Sequence, residues 1–269
     1  MPSFTQYQEG LVANTNRWPS ELIWANAPIL ETIHTGRGHY HFNDFISMDA
    51  QATATYSGQY YFLGDDGVLC APLANTDGGV IEVSGNDADN DMSLLVYGFE
   101  AGFARFSNID KVWFECRVAK ASIADNALGM FVGFTEPENI ALADVTLMDD
   151  DAILDPSEDF IGFNQLLTDA DSTLSVYQEG GAAVQATAID VPTAAGYDKL
   201  GLTWDGRVLK FFVNGQHIIA NDVTVTSALS FPDANHLSLL WGTEVGEAAE
   251  SKAQMDWWRV LSISEEAPS

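Results

Sequence analysis

Residues 197–218, YDKLGLTWDGRVLKFFVNGQHI, constrain the fold more than any other part of the chain. Leu200, Leu202 and Trp204 alternate with Gly201 and Thr203. Successive strand side chains point to opposite faces, so one set can face a core. Asp205-Gly206 and Asn214-Gly215 interrupt the apolar runs with residues suited to the positive φ angles of tight hairpin turns. Three antiparallel strands in succession follow, and such a meander holds a shape without requiring any of its residues to react.

The same texture extends across the chain from residue 42. Strands are predicted over 42–47, 58–63, 79–83, 93–97, 112–119, 128–135, 159–166, 174–178, 199–204, 208–213, 216–219, 237–242 and 255–264. Long helical periodicity is nearly absent; residues 138–151 offer at most one helical turn before Asp149-Asp150-Asp151. Short strands separated by Gly, Asp and Asn define an all-β sandwich or barrel. With 15 Phe, 8 Tyr and 7 Trp, the chain can fill one large core.

Residues 1–40 read differently and are expected to form an N-terminal arm, leaving 41–269 as the sandwich domain. Trp18-Pro19 and Ala27-Pro28 each bias the residue before proline away from helix. One short helix fits over residues 20–24, with Ser20 as its cap. The arm holds too few apolar residues for a core of its own, so it must pack on its own domain or on a neighbour. Trp18, Leu22, Ile23, Trp24 and Ile29 are its candidate anchors.

Charge narrows the partners. Eleven Lys and Arg stand against 39 Asp and Glu, a formal net charge of −28. Nucleic-acid binding depends on cations that neutralise phosphates, so neither DNA nor RNA is an expected partner, and an anionic membrane surface is excluded on the same ground. An acidic surface adapted to a salty medium explains the balance equally well. The first residues lack the basic and apolar regions of a secretory signal, and none is expected. Cys70 and Cys116 are expected to be free thiols, because a domain of this size needs no disulfide.

Two resemblances rest on these residues. The meander, the late stretch MDWWRVLSI at 255–263, HFNDF at 41–45 and the pair of runs within 110–136 together resemble the concanavalin A-like, or laminin-G-like, jelly-roll sandwich. That resemblance implies an antiparallel jelly roll whose last strand pairs near its first, over roughly 41–265. It leaves function open, since lectins, glucanases and adhesion modules share the fold. The passage WPSELIWANAPILETIHTGRGHYHFNDF leading into the sandwich is similar to structural proteins of tailed-phage virions. This second resemblance implies a capsid decoration or cement protein without enzymatic activity, made in the host cytoplasm and located on the capsid surface. Its partner would be the major capsid protein, with many copies forming a homo-oligomer on the lattice.

A jelly-roll glucanase needs two carboxylates close together on one strand face. No Glu-x-Asp occurs, Glu244-Val245-Gly246-Glu247 has the wrong spacing, and Glu115 has no acid two or four residues away. No catalytic residue is therefore assigned. His39 and His41 share a strand face, which could suit a metal, but a pair of surface or interface histidines beside the arm is the favoured reading. Asp87, Asp89 and Asp91 offer alternating oxygen ligands, as calcium loops do. The loop has Met92 where an EF-hand needs glycine and Gly98 where it needs glutamate, so a solvated turn competes with a calcium site. Trp241, Trp257 and Trp258 are the aromatic candidates for a sugar platform, each with core burial as the safer reading. A lectin-like module attaching to surface glycans is the alternative function.

Overall fold

A computed structural model describes residues 19–30, 32, 38–46, 48–52, 55–57, 59–64, 69–73, 79–84, 91–99, 101–122, 124, 127–136, 158–167, 172–192, 196–246 and 252–264. Among the described residues a short helix, α1 (Glu21–Trp24), precedes the strands, and Ile29, Leu30 and Thr32 are also helical. These begin with β1 (Gly38–Asn43), β2 (Gln51–Ala52), β3 (Thr55–Ser57), β4 (Tyr60–Gly64), β5 (Leu69–Pro72) and β6 (Ile81–Ser84). The middle of the chain supplies β7 (Met92–Tyr97), β8 (Asp110–Lys120), β9 (Leu128–Thr135), β10 (Phe160–Gln165), β11 (Thr173–Gln178) and β12 (Gln185–Asp190). It ends with β13 (Tyr197–Trp204), β14 (Val208–Val213), β15 (Gln216–His217), β16 (Val223–Thr224), β17 (Ser238–Val245) and β18 (Lys252–Ser264).

The strands form two antiparallel sheets. The first runs β15-β14-β13-β8-β18-β6-β5-β2, with β1 also on β18 and β16 on β14; the second runs β12-β11-β10-β9-β17-β7-β4-β3. The last strand thus pairs with the first, Tyr40 opposite Leu261 and Phe42 opposite Arg259. Alternation builds the core between the sheets. Val112, Phe114, Cys116 and Val118 of β8 meet Met130, Val132 and Phe134 of β9 and Leu239 and Trp241 of β17 in one buried cluster. A bulge between Met255 and Trp257 resets the parity of β18. Met255 and Trp258 therefore both enter the core although three residues apart, and Trp257 points the other way, beside Phe42.

The meander is β13-β14-β15, as its spacing predicts. Asn214 (φ 51°) and Gly215 (φ 78°) both take positive φ, as a tight two-residue hairpin requires. At the other corner only Gly206 (φ 93°) does, and Asp205 Oδ1 accepts from the backbone N–H groups of Arg207 and Val208 instead. The first strand covers 38–43 rather than 42–47, because Phe45 turns into the left-handed region (φ 56°). Both cysteines are free and buried, and burial pushes the Cys70 thiol up to about 12.

Simple inside–outside alternation fails in the second sheet. All residues of β7, β9, β10 and β17 are buried. Met92, Leu94, Val96, Phe131, Phe160, Val176 and Leu240 form a second apolar cluster on the face turned away from the core. Strands buried on both faces read as continuous apolar runs, which is how LLVY and MFVGF read.

Candidate functional site

The outer face of the first sheet is ordered in cross-strand rows. One row places Arg259 of β18, Glu115 of β8, Gly201 of β13, Phe212 of β14 and His217 of β15 side by side. The next row places Leu261, Trp113, Thr203 and Lys210 in the same order of strands. A charged side chain in the central strand of a sheet demands partners, and the arm supplies them.

Glu115 is fully buried. Its Oε2 accepts from the Ser20 backbone N–H at 2.7 Å and from the Trp24 indole Nε1–H at 2.9 Å, and its Oε1 accepts from the Ser20 hydroxyl. Ser20 does occupy the N-cap position of α1, but its side chain makes no cap bond there; it serves Glu115. The Arg259 guanidinium lies over the Trp24 ring, 4.1 Å from its centre. Burial raises the Glu115 carboxyl above its ordinary range, opposed by the Ser20 and Trp24 bonds and the Lys199 charge. Ile23 drops its Cδ1 into the notch over Gly201, where a Cβ would lie 2.5 Å away. Replacing Gly201 with alanine must displace that side chain; we expect a loss of about 1–3 kcal/mol in denaturant unfolding, the usual range for overpacking.

The predicted anchors therefore divide. Ile23 and Trp24 are buried against the chain's own Phe212 and Leu261, with Ile29 packed beside them. Of the two alternatives the sequence leaves open for the arm, its own domain or a neighbour, Ile23 and Trp24 pack on their own domain. Leu22 remains 59% exposed, joined on the arm by Leu30 at 63%. Trp18 lies outside the described residues. The arm is thus part of the sandwich, covering a face of it, and its removal would expose apolar surface and strand Glu115.

Beside α1 the second row is open. A groove of about 370 Å³ is lined by Leu22, Ile23, Asn26, Trp113, Thr203, Trp204, Asp205, Lys210, Phe212 and His217. Trp113 is half-buried and lies in the groove wall. The side chains of Asn26, Thr203 and Lys210 make no hydrogen bond or ion pair among the described residues. His217 is held by Asp222 Oδ1 at 2.6 Å and stacks on Phe212. Sequence reasoning missed Trp113 and Lys210. The signal was present in the alternation Lys111, Trp113, Glu115, Arg117 along one strand face, where charge and indole interleave.

A second constellation sits between the sheets. His39, His41 and Asn43 of β1 point inward, toward Tyr60 of β4 and Tyr97 of β7. His39 Nε2 is 2.6 Å from the Tyr97 hydroxyl, His41 Nε2 is 2.5 Å from the Tyr60 hydroxyl, and Asn43 Nδ2–H donates to the same Tyr60 oxygen. The His41 and Tyr97 rings stack at 3.9 Å. Burial lowers His41 to about 4, with the neighbouring His39 adding to the effect, and lowers His39 as well. The histidines do share a face, but in the mouth of the sandwich and bonded to tyrosines, so the expectation of a surface pair is corrected. Among the described residues no group of three or more His, Cys, Asp or Glu is placed to hold a metal ion. Asp87 and Asp89 lie outside the described residues; Asp91 directly precedes β7.

Trp241, Trp257 and Trp258 are all buried, so none offers a sugar platform on the surface. Glu115 lies on the first sheet and Glu244, also buried, on the second. No helix among the described residues is long and apolar enough to cross a membrane.

Comparison with known proteins places the fold. The chain is an all-β, two-sheet antiparallel sandwich of the concanavalin A-like type shared by lectins and glucan-cleaving enzymes. It is similar to a protein of unknown function from Shewanella oneidensis MR-1, with a TM-score of 0.57 and 14% identity over 86% of this chain and 89% of that one. It is similar to peanut lectin (TM-score 0.55, 12% identity, 86% of this chain and 99% of that). A laminarinase from Rhodothermus marinus is alike to the same degree (TM-score 0.55, 13% identity, 83% and 98%). At these identities the likeness shows the fold alone. No family model and no curated protein matches the chain.

Proposed function

We propose that the chain is a non-enzymatic adhesive module, a virion structural protein that decorates or cements a tailed-phage head by binding the major capsid protein. One observation carries this reading: the arm-covered face of the first sheet has the build of a docking surface. The arm is pinned there by three donors on a buried carboxylate, and exposed Leu22 stands beside an open groove with an indole wall. Tight contacts concentrate their energy in a few such apolar and aromatic positions. Repetition on a lattice multiplies a modest single contact. The choice of partner rests on the resemblance of residues 18–45 to structural proteins of tailed-phage virions.

Co-sedimentation with heads assembled without this protein tests the reading. Wild type binds, and Leu22→Asp lowers affinity about tenfold or more, as loss of an apolar anchor does. Equal binding by wild type and variant, or none by wild type, removes the proposal.

The groove favours a second reading, attachment to glycans. An indole wall with unpaired amide, hydroxyl and ammonium groups suits a sugar ring with one apolar face. Titration with simple pyranosides, followed by tryptophan fluorescence in wild type and Trp113→Phe, distinguishes it from capsid binding.

A further inference from the structure

We propose that the groove beside α1 takes a peptide segment of the partner in which an apolar side chain is followed directly by a carboxylate. This deepens, and rests on, the reading of that face as a docking surface. Charge is the first ground. The strands of the second sheet carry no lysine or arginine, whereas β8, β13, β14 and β18 of the first each carry at least one. Several of these cations are engaged within the chain: Arg117 by Asp256, Lys252 by Glu82, and Arg259 over the Trp24 ring. Lys210 is half-buried in the groove lining and has no hydrogen bond or ion pair among the described residues. The carboxylate of the lining, Asp205, is engaged at the β13–β14 corner, where its Oδ1 accepts from the backbone N–H groups of Arg207 and Val208. His217 is held by Asp222. The charge left for a ligand is therefore positive, in a chain whose net charge is −28.

Spacing sets what else the ligand carries. Trp113, Thr203 and Lys210 lie side by side across β8, β13 and β14. Neighbouring strands are about 4.8 Å apart, so the indole and the lysine start roughly 10 Å from each other with Thr203 midway. Two adjacent peptide residues bridge that span. The apolar side chain packs on Trp113, and the carboxylate meets the ammonium that Lys210 carries on its flexible stem. The peptide group between them lies over the Thr203 hydroxyl, with the Asn26 amide on the arm side; both groups donate and accept, as a peptide N–H and C=O require. The groove, about 370 Å³, is of the size that encloses a small ligand. Leu22, 59% exposed at its rim, continues the apolar surface beyond it, so the occupant is part of a larger partner.

Blocked dipeptides titrated into the isotope-labelled full chain test this, in about 0.15 M NaCl to screen long-range repulsion. The probe is acetyl-Phe-Asp-amide, compared with acetyl-Phe-Asn-amide, acetyl-Phe-Lys-amide and acetyl-Ala-Asp-amide. The Trp113 indole N–H resonance, assigned by its loss in Trp113→Phe, is expected to shift saturably with a Kd of about 1–10 mM for Phe-Asp. Phe-Asn binds about two- to fivefold more weakly, the share of an exposed ion pair, Phe-Lys more weakly still, and Ala-Asp loses the ring contact. Lys210→Glu inverts the order, so that Phe-Lys binds best. Lys252→Glu makes the same change in net charge away from the groove and keeps the wild-type order, which separates a local ion pair from the field of the whole chain. No shift with any dipeptide, equal affinity for Phe-Asp and Phe-Asn, an order that Lys210→Glu leaves unchanged, or a shift produced only by a neutral pyranoside overturns the proposal. Head co-sedimentation keeps the two claims apart. Heads that bind wild type and Lys210→Glu equally leave the docking face standing and remove the acidic segment. Dipeptides that bind in the expected order to a chain that binds no heads keep the groove chemistry and remove the capsid.

Discussion

Glu115→Ala is expected to release the arm from the sheet and lower the unfolding free energy by about 3–5 kcal/mol, the range for breaking one side of a buried charged network. The substitution removes the common acceptor of Ser20 N–H, the Ser20 hydroxyl and the Trp24 indole N–H. It leaves those donors without their partner, and it removes the negative charge that sits among Arg259 and Lys199. Glu115→Gln keeps the shape but turns one donor toward other donors, so about 1–3 kcal/mol is expected. Urea denaturation measures both values. Hydrogen exchange at residues 20–30 reports the arm directly, with protection falling in the alanine variant. An alanine variant as stable as wild type would mean that the arm is held by apolar contact alone. The same network predicts that a chain beginning at residue 41 does not behave as an intact sandwich: it exposes Phe212, Leu261 and Trp113 and takes from Glu115 the donors of the arm.

The difference between what residues declare and what the fold makes of them is clearest along β8. Period-two alternation in KVWFECRVAK placed the strand and its inward set, Val112, Phe114, Cys116 and Val118. It could not show that Glu115 is paired with Ser20, because that contact spans 95 residues. Strands whose residues are apolar or whose corners are glycine were legible; β9 and β14 fall on their predicted bounds. β12, QATAID, was missed because its Ala and Gln have little strand preference of their own, and pairing with β11 decides its state. β5 was missed in the same way, a four-residue strand that ends on Pro72. The parity change in β18 depends on a bulge that no composition announces. For the site, Leu22, Ile23 and Trp24 were recognisable as anchors, but which of them face inward depends on where α1 lands. That is fixed by a notch at Gly201, far away in sequence.

Acid should weaken the sandwich between about pH 6.5 and pH 4, and the histidine–tyrosine mouth should be a principal cause. His41 titrates near 4 in the folded chain against an ordinary 6.5, and His39 is shifted the same way. In that window the unfolded chain binds protons that the folded chain refuses. Stability is therefore complete above pH 6.5 and is lost as pH falls toward the folded value. Because water reaches part of the site, the His41 share is about 1–2 kcal/mol rather than the full value of the shift. The alkaline side mirrors this. Burial raises Tyr60 and Tyr97 to about 12, so ionising these phenols in the unfolded chain above pH 10 drains stability again. Glu115 works in the opposite sense in acid, since its raised carboxyl takes up a proton more readily when folded. A difference measurement separates the two. His39→Gln with His41→Gln keeps side-chain amides that can bond the Tyr97 and Tyr60 hydroxyls but cannot take a proton in this range. Urea midpoints from pH 4 to pH 8 should fall less steeply toward acid for the double variant than for wild type. Parallel profiles would assign the acid loss to carboxylates elsewhere and leave the two histidines as packing residues only.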